Sequence, residues 1–158
     1  MSELVLLIGV QGAGKSSFYK ERYFDTHVRV SRDVVKTPAR ERALIAACLA
    51  TRQPYVVDNT NVLKARRAEH IEPAKAAGFR VVGFYFRTSL KAAFRRNAAR
   101  PRERVVPPGG VAATFKKLQP PDPAEGFDEL QVVEIDQQNR FVVREWRPED
   151  GSAASERG

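Results

Sequence analysis

The sequence predicts an α/β domain built on a mainly parallel sheet that is covered by helices on both faces. Short apolar runs alternate with helical patterns along the chain, as they do where parallel strands are joined by helical crossovers. The runs are continuous rather than alternating in polarity, which indicates strands buried on both faces. With 158 residues, 42% of them hydrophobic, the chain is long enough for one such domain with its own core.

The first elements follow this pattern closely. "ELVLLIGV" at 3–10 predicts the first strand, and "KSSFYKERYF" predicts the helix after it. "HVRVS" at 27–31 predicts a second, shorter strand. The next helix should begin at Thr37, a good N-cap residue, with Pro38 in the first helical position.

The middle of the chain repeats the alternation. "PYVVD" at 54–58 predicts the third strand, and 63–77 a helix that Pro73 kinks or restarts and Gly78 ends. "RVVGFYF" is the fourth strand, followed by a helix from "SLKAAFRRNAAR".

A short helix around "VAATFKKL" and a loop then lead to the last strands. "ELQVVEID" predicts a fifth strand and "RFVVREW" a possible hairpin partner. We therefore expect one domain over residues 1–147, with a polar, disordered tail over 148–158.

The composition favours a polyanionic partner. The net charge is +8 with a pI near 10, and the segment 87–105 contains seven basic residues and a single acidic one. The chain has no run of 18 uninterrupted apolar residues and no signal-like start, so we expect a cytoplasmic protein with no membrane partner. The lone Cys48 and the isolated His27 and His70 lack the spacing of a zinc site.

The clearest motif is "GVQGAGKS" at 9–16, which matches G-x-x-x-x-G-K-[ST] between a predicted strand and a predicted helix. In that context backbone N–H groups cradle the phosphates of a nucleoside triphosphate, and the helix directs its positive end at the same anion. The lysine would reach the β- and γ-phosphates, and the serine hydroxyl would join the Mg²⁺ shell. The predicted nucleotide-binding residues are Gly12, Ala13, Gly14, Lys15, Ser16 and Ser17.

Asp58 ends the third strand, in the position of the acid that such proteins hold beside Mg²⁺. An aspartate there can also simply start a turn, because its side chain bonds nearby backbone groups. Asn59, Thr60 and Asn61 follow it, and they can hold the turn or contact a substrate.

Asp33 ends "VSRD" after the second strand, where it can accept the proton of an attacking hydroxyl. Its alternative role is a turn or helix-cap carboxylate. Lys36 and Arg40 lie just beyond it and are candidate acceptor ligands, or else part of a solvated helix face.

Residues 95–110 are predicted to form an arginine-rich lid. Arg96 and Arg100 stand near the end of a helix, and prolines and glycines interrupt the basic segment that follows. A flap that closes arginines over a triphosphate neutralises charge on the transferring group and excludes water. The alternative is a basic surface loop.

Taken together, "GVQGAGKSS", "VSRD", "VVDNTN", "FRRNAAR" and "EGFDEL" resemble the kinase module of polynucleotide 5′-hydroxyl kinases. The similarity spans about residues 4–135. It implies a P-loop kinase fold with sheet order 2-3-1-4-5, binding ATP and Mg²⁺. Through this resemblance Lys15 and Ser16 would serve ATP and Mg²⁺, Asp33 would be the general base, Asp58 the metal-side acid, and Arg96 and Arg100 lid residues on the phosphates.

One departure concerns the acceptor. Some members of that family have an arginine three residues after the base, and here Lys36 takes its place, a point charge instead of a bidentate fork. Three hypotheses stay open: a kinase for the 5′-OH end of DNA or RNA, a kinase for an anionic small molecule or nucleotide sugar, and a nucleotide-dependent switch or binding module.

Overall fold

The computed structural model describes residues 2–151, which form one six-stranded sheet with helices on both faces. The strand order is β2-β3-β1-β4-β5-β6. The expected order 2-3-1-4-5 is therefore confirmed for the five parallel strands, and β6 extends the sheet as the antiparallel hairpin partner of β5. The strands are β1 Glu3–Ile8, β2 Val28–Val30, β3 Tyr55–Asp58, β4 Arg80–Phe86, β5 Glu129–Ile135 and β6 Phe141–Glu145.

Within residues 2–151, six α-helices and two short 3₁₀ turns lie between the strands, and a third 3₁₀ turn follows β6. The helices are α1 Lys15–Arg22, α2 Arg32–Val35, α3 Pro38–Thr51, α4 Lys64–Ala76, α5 Leu90–Ala98 and α6 Pro108–Lys117, and the 3₁₀ turns are Arg102–Arg104, Pro123–Glu125 and Pro148–Gly151.

Three helices differ from the sequence predictions. The short α2 was not predicted, because four residues capped by Ser31 carry no apolar period. Helix α4 runs through Pro73 without the expected restart. Helix α6 begins at Pro108, earlier than predicted, since proline is well suited to the first turn of a helix.

The strand β1 lies at the centre of the sheet and contributes to both cores. Val5 and Leu7 face one apolar cluster, and Leu4 and Leu6 face the other, all without solvent exposure. Adjacent residues of a strand point to opposite faces, so a continuous apolar run is what a doubly covered strand requires. This rigid central strand carries the glycine-rich loop at its carboxyl end.

The start of the predicted tail is ordered. Residues 148–151 form a 3₁₀ turn in which Asp150 is buried. Its carboxylate accepts hydrogen bonds from the guanidinium groups of Arg144 and Arg87 and from the Arg147 backbone N–H. The expectation of disorder from residue 148 therefore needs correction for these four residues, and 152–158 lie outside the described part of the chain.

A second buried charge lies behind the site. Arg67 of α4 has no solvent exposure and makes a bidentate pair with Glu125, at 2.7 and 3.1 Å. Its remaining N–H groups donate to the carbonyls of Asn61 and Gln119. This side chain ties the loop after β3 to the segment before β5, which explains the glutamate of "EGFDEL".

Within residues 2–151 we find no helix long and apolar enough to cross a lipid bilayer.

We expect Arg67→Met to lower the free energy of unfolding by about 3 kcal/mol or more, because it leaves the Glu125 carboxylate and two carbonyls without their partner. The neighbouring Arg66 supplies a matched control. Its pair with Glu69 is exposed, so Arg66→Met should cost less than about 1 kcal/mol. Urea unfolding of the two variants measures the difference, and equal midpoints would show that Arg67 has no such role.

Candidate active site

The carboxyl ends of β1, β2 and β3 converge on one cavity of about 960 Å³. Since these three strands are adjacent and parallel, the loops that follow them lie side by side. The glycine-rich loop, Asp58 and Asp33 all line the cavity, and the segment 99–107 closes its far side. The structure thus brings together the principal residues that the sequence analysis selected.

The glycine-rich loop has the conformation that an anion cradle requires. Gly12 and Gly14 adopt left-handed backbone angles, with φ of 80° and 97°. A Cβ atom on Gly12 would also lie 2.4 Å from the carbonyl oxygen of Ala93 in α5. Helix α1 begins after Gly14 with no side-chain cap, so the N–H groups of its first turn remain available to a phosphate.

Lys15 is folded back on this loop. Its Nζ donates to the carbonyls of Gly9 and Val10 at 2.8 and 2.9 Å. Burial lowers the pKa of Lys15 to about 8, and the charge of Arg100 adds to this effect. The carboxylates of Asp58 and Asp33 oppose it. Both candidate acids and the lid arginine are therefore close enough to act electrostatically on the same ammonium group.

Ser16, Asp58 and Arg29 form a closed triangle. The Ser16 hydroxyl donates to Asp58 Oδ2 at 3.0 Å. Arg29 Nε donates to the same carboxylate oxygen at 2.8 Å, and its Nη2 donates to the serine Oγ at 3.0 Å. The Asp58 side chain is only 3% exposed. The hydroxyl and the carboxylate predicted to hold Mg²⁺ are thus in direct contact.

Asp33 and Arg100 face each other across the cavity. Asp33 lies in α2, just beyond β2, and its side chain is 56% exposed. A guanidinium nitrogen of Arg100 lies 3.7 Å from its Oδ2. The predicted base is therefore accessible to an acceptor, and the predicted lid residue reaches over it.

The three residues after Asp58 mainly shape the loop. Asn61 is buried and has a left-handed backbone conformation, and its side-chain amide donates to the carbonyls of Leu7 and Val57. The Thr60 carbonyl accepts from the backbone N–H of Gly9 at 2.9 Å. All three, Asn59 included, line the cavity, so the substrate contact predicted for them stays a prediction beside this structural role.

Asn59 also positions the helix that bears the base. Its Oδ1 accepts from the backbone N–H of Arg32, the first residue of α2, at 3.0 Å. Its Nδ2 donates to Glu41 of α3 at 3.0 Å. One amide therefore connects the ends of β2 and β3 and the start of α3.

The predicted acceptor ligands Lys36 and Arg40 do not line the cavity. The reason is α2, which inserts a helical turn after β2 and ends at Lys36 in a positive-φ conformation. The wall on that side has mixed charge instead, formed by Arg32, Glu41, Arg66, Glu69 and His70. Burial lowers the pKa of His70, so its imidazole is neutral at pH 7.

The lid segment is built on an asparagine clamp. Asn97 is buried at the end of α5, and its amide donates to the Val106 carbonyl and accepts from the Val106 N–H. The eight residues between them carry Arg100, Arg102 and Arg104 on a closed loop. Sequence reasoning missed Asn97, although it stands inside the "FRRNAAR" motif.

A second cavity of about 340 Å³ lies on the other side of the glycine-rich loop. Ala13 lines it, and Arg96 lines both cavities. Its remaining wall comes from the ends of β4 and β5, with Thr88, Ser89, Glu134 and Gln137 among its residues. None of these four residues was predicted, because none of them belongs to a recognised motif.

A protein-family model described as AAA domain matches residues 30–121, which is more than half of the chain. The chain belongs to this AAA domain family. The matched residues include Asp33, Asp58 and the arginine-rich segment.

Several solved structures have the same fold, and a kinase is among them. A gluconokinase from Sinorhizobium meliloti 1021 superposes with a TM-score of 0.58 at 20% identity, covering 86% of this chain and 84% of that chain. Chaetomium thermophilum Kti12 in complex with ADP-AlF3 gives 0.57 at 17% identity, covering 86% and 92%. The AvrRxo1-ORF1:-ORF2 complex with ATP gives 0.67 at 13% identity, and this AAA domain spans 57% of that chain. At such identities the likeness shows the fold, which is that of P-loop kinases.

The donor set fits a magnesium nucleotide. The hydroxyl of Ser16 and the carboxylate of Asp58 are oxygen ligands of the kind that Mg²⁺ prefers. The uncapped first turn of α1 and the two left-handed glycines fit a polyphosphate. Among residues 2–151 no group of three or more His, Cys, Asp or Glu side chains is placed to hold a metal ion. Mg²⁺ at enzyme sites is commonly held by one or two carboxylates together with substrate phosphates and water.

Nucleotide affinity should fall as the pH rises above 8. Phosphate oxygens favour protonated Lys15, whose pKa in the free protein is about 8, so binding should take up a proton, and affinity should decrease by up to about tenfold per pH unit above 8. Calorimetric titration of AMP-PNP from pH 7 to 9.5, in buffers of different ionisation enthalpy, measures both quantities. Lys15→Arg should remove the dependence. A pH-independent wild-type affinity would contradict this assignment.

Proposed function

We propose that this AAA domain is an ATP- and Mg²⁺-dependent kinase that transfers the γ-phosphate to a hydroxyl group. The observation that carries this proposal is the meeting of three strand ends in one cavity. The glycine-rich loop with Lys15, the acid Asp58 and the acid Asp33 line the same space, and the charges of both acids act on Lys15.

The nucleotide would lie along the glycine-rich loop. Backbone N–H groups from Gly12 to Ser17, together with Lys15, hold the phosphates. The smaller cavity, on the other side of this loop, suits the nucleobase, and Arg96 bridges the two spaces. Ser16 and Asp58 would hold Mg²⁺, which supplies charge neutralisation on the phosphates.

Asp33 would act as the general base. Its exposed carboxylate accepts the proton of the acceptor hydroxyl as that oxygen attacks the γ-phosphate. Arg100 contacts Asp33 in this structure, and a bound triphosphate offers this arginine a stronger, more negative partner. Its movement to the phosphates would free the base and place positive charge where the transferring group needs it.

The preferred acceptor in this proposal is the 5′-OH end of DNA or RNA. The net charge of +8 and the arginines of the lid support a polyanionic acceptor. The resemblance to polynucleotide 5′-hydroxyl kinases supports it as well. A cytoplasmic location stays a prediction.

A small hydroxylated molecule is the second candidate, and one observation favours it. Glu41 and Glu69 line the acceptor side of the cavity, where carboxylates repel the phosphates of a nucleic acid but accept hydrogen bonds from sugar hydroxyls. One of the neighbours with this fold is a gluconokinase. A nucleotide sugar or sugar acid would have both an anionic group for the arginines and hydroxyls for the glutamates.

Replacement of the proposed base separates catalysis from binding. Asp33→Asn keeps the shape of the side chain but cannot take a proton, so phosphate transfer should fall by about 10² to 10⁴-fold. AMP-PNP affinity should not fall, because Asp33 does not hold the nucleotide. Asp25→Asn, at an exposed carboxylate outside both cavities, is the matched control and should retain full transfer. If Asp33→Asn transfers phosphate at the wild-type rate, Asp33 is not the general base. If the protein hydrolyses ATP slowly, and neither Asp33→Asn nor any acceptor changes that rate, a nucleotide-dependent switch or binding module is favoured instead.

The acceptor is identified with [γ-³²P]ATP. We expect label on a 5′-OH oligonucleotide and none on the same oligonucleotide with a 5′-phosphate. Transfer should weaken as the salt concentration rises, because lid arginines that neutralise the oligonucleotide's phosphates release the counterions bound there. Label on sugar acids or nucleotide sugars, with none on either oligonucleotide at low salt, would establish the second candidate instead.

A further inference from the structure

Arg29 lies between the two residues assigned to the metal. Its guanidinium donates to Asp58 Oδ2 at 2.8 Å and to Ser16 Oγ at 3.0 Å. Nothing in the sequence motifs points to this residue, because it stands in the middle of the short strand β2. Asp58 ends the neighbouring strand β3, and Ser16 lies in the first turn of α1, after the loop that follows β1.

The carboxylate of Asp58 requires a cation in this position. Its side chain is 3% exposed, and an ionised carboxylate removed from water is costly unless it is paired and hydrogen-bonded. Lys15 acts on Asp58 through its charge, but its ammonium group donates to the carbonyls of Gly9 and Val10. Arg29 is the cation in hydrogen-bonding contact with Asp58 among the described residues.

The same contacts oppose a divalent ion. The Ser16 hydroxyl has one proton and two lone pairs; the proton is directed to Asp58 and one lone pair accepts from Arg29. A metal ion at Ser16 needs a lone pair on that oxygen. The positive charge of Arg29, a few ångströms away, raises the free energy of the bound ion by electrostatic repulsion. The guanidinium therefore occupies one acceptor position on each of these two groups, and its charge opposes a metal ion beside them.

We propose that Arg29 is an internal cation that holds Ser16 and Asp58 together in the nucleotide-free protein and that its charge weakens Mg²⁺ binding at these two groups. This rests on the proposed function, since it takes Ser16 and Asp58 as the metal-side residues. Arg29 is thus a positioning residue that raises the metal concentration needed to half-saturate the site. In this position the guanidinium also lies over the ring of Tyr19, 6.0 Å from its centre.

The test measures metal binding directly. Mn²⁺ is titrated into the protein with saturating AMP-PNP, and the enhancement of water-proton relaxation reports the ternary complex. Arg29→Met should lower the Mn²⁺ concentration at half-saturation by about tenfold, because the competing charge is gone. In EDTA without nucleotide the same variant should melt below the wild type, since Asp58 loses its partner.

Two controls define the outcomes. Lys117→Met removes one positive charge from an exposed position outside both cavities, and should leave the Mn²⁺ titration unchanged. If Arg29→Met does not fold, Arg29→Gln, which is neutral but still a hydrogen-bond donor, is titrated instead with the same expectation.

A further variant separates this inference from the proposed function. Asp58→Asn should weaken Mn²⁺ binding. If it does, and the neutral variants of Arg29 bind Mn²⁺ no more tightly than the wild type, the proposal for Arg29 is overturned while the metal site stands. If Asp58→Asn binds Mn²⁺ like the wild type, the metal-side assignment itself fails, and with it the basis of the proposal.

Discussion

The parallel pairing of β2 with β3 and of β3 with β1 is the constraint on which the site depends. The register places Asp58 beside Leu7 of β1, and Val57 beside Val30 of β2. Three chain segments far apart in sequence therefore end at the same edge of the sheet. Because side chains alternate between faces, a slip of one residue would turn Asp58 away from Ser16. The apolar burial of β1 on both faces makes such a slip costly.

Charged groups inside the domain are used to join segments around this edge. Of the four buried charges among residues 2–151, three have an opposite partner: Arg67 with Glu125, Asp58 with Arg29, and Asp150 with Arg144. The fourth, Lys15, donates to two backbone carbonyls. Removing one member of such a pair leaves a charge in a poorly solvated environment, so each pair specifies one arrangement of its two segments. The loop after β3 is held in this way from both sides, by Asp58 at one end and through the Asn61 carbonyl at the other.

The lid and the glycine-rich loop are in direct contact at their bases. The backbone of α5 passes so close to Gly12 that a side chain at that position would collide with the Ala93 carbonyl. One turn further along α5, Asn97 clamps the start and the end of the arginine-rich loop together. The packing of α5 against the glycine-rich loop and the hydrogen bonds of Asn97 therefore fix the position of the loop that carries Arg100. In that position its guanidinium contacts Asp33.

Much of the local structure was predictable because its signals are contiguous. Apolar runs, the glycines and lysine of residues 9–16, and the capping of α3 by Thr37 each lie within a few residues, and all appear in the structure as expected. The short α2 was missed because a tertiary contact stabilises it in addition to its own Ser31 cap. The amide of Asn59 holds the first turn of α2 from another strand.

By itself, then, the sequence determined the alternation of strands and helices and the phosphate-binding loop, since both follow from short-range patterns of polarity and backbone freedom. Only the tertiary structure decided which side chains meet at the strand ends. It brought Arg29 to Asp58, left Lys36 and Arg40 outside the cavity, and placed Glu41 and Glu69 in the cavity wall. The physical reason is that burial makes an unpaired charge costly, and the partner that relieves this cost can come from any strand that the sheet places alongside.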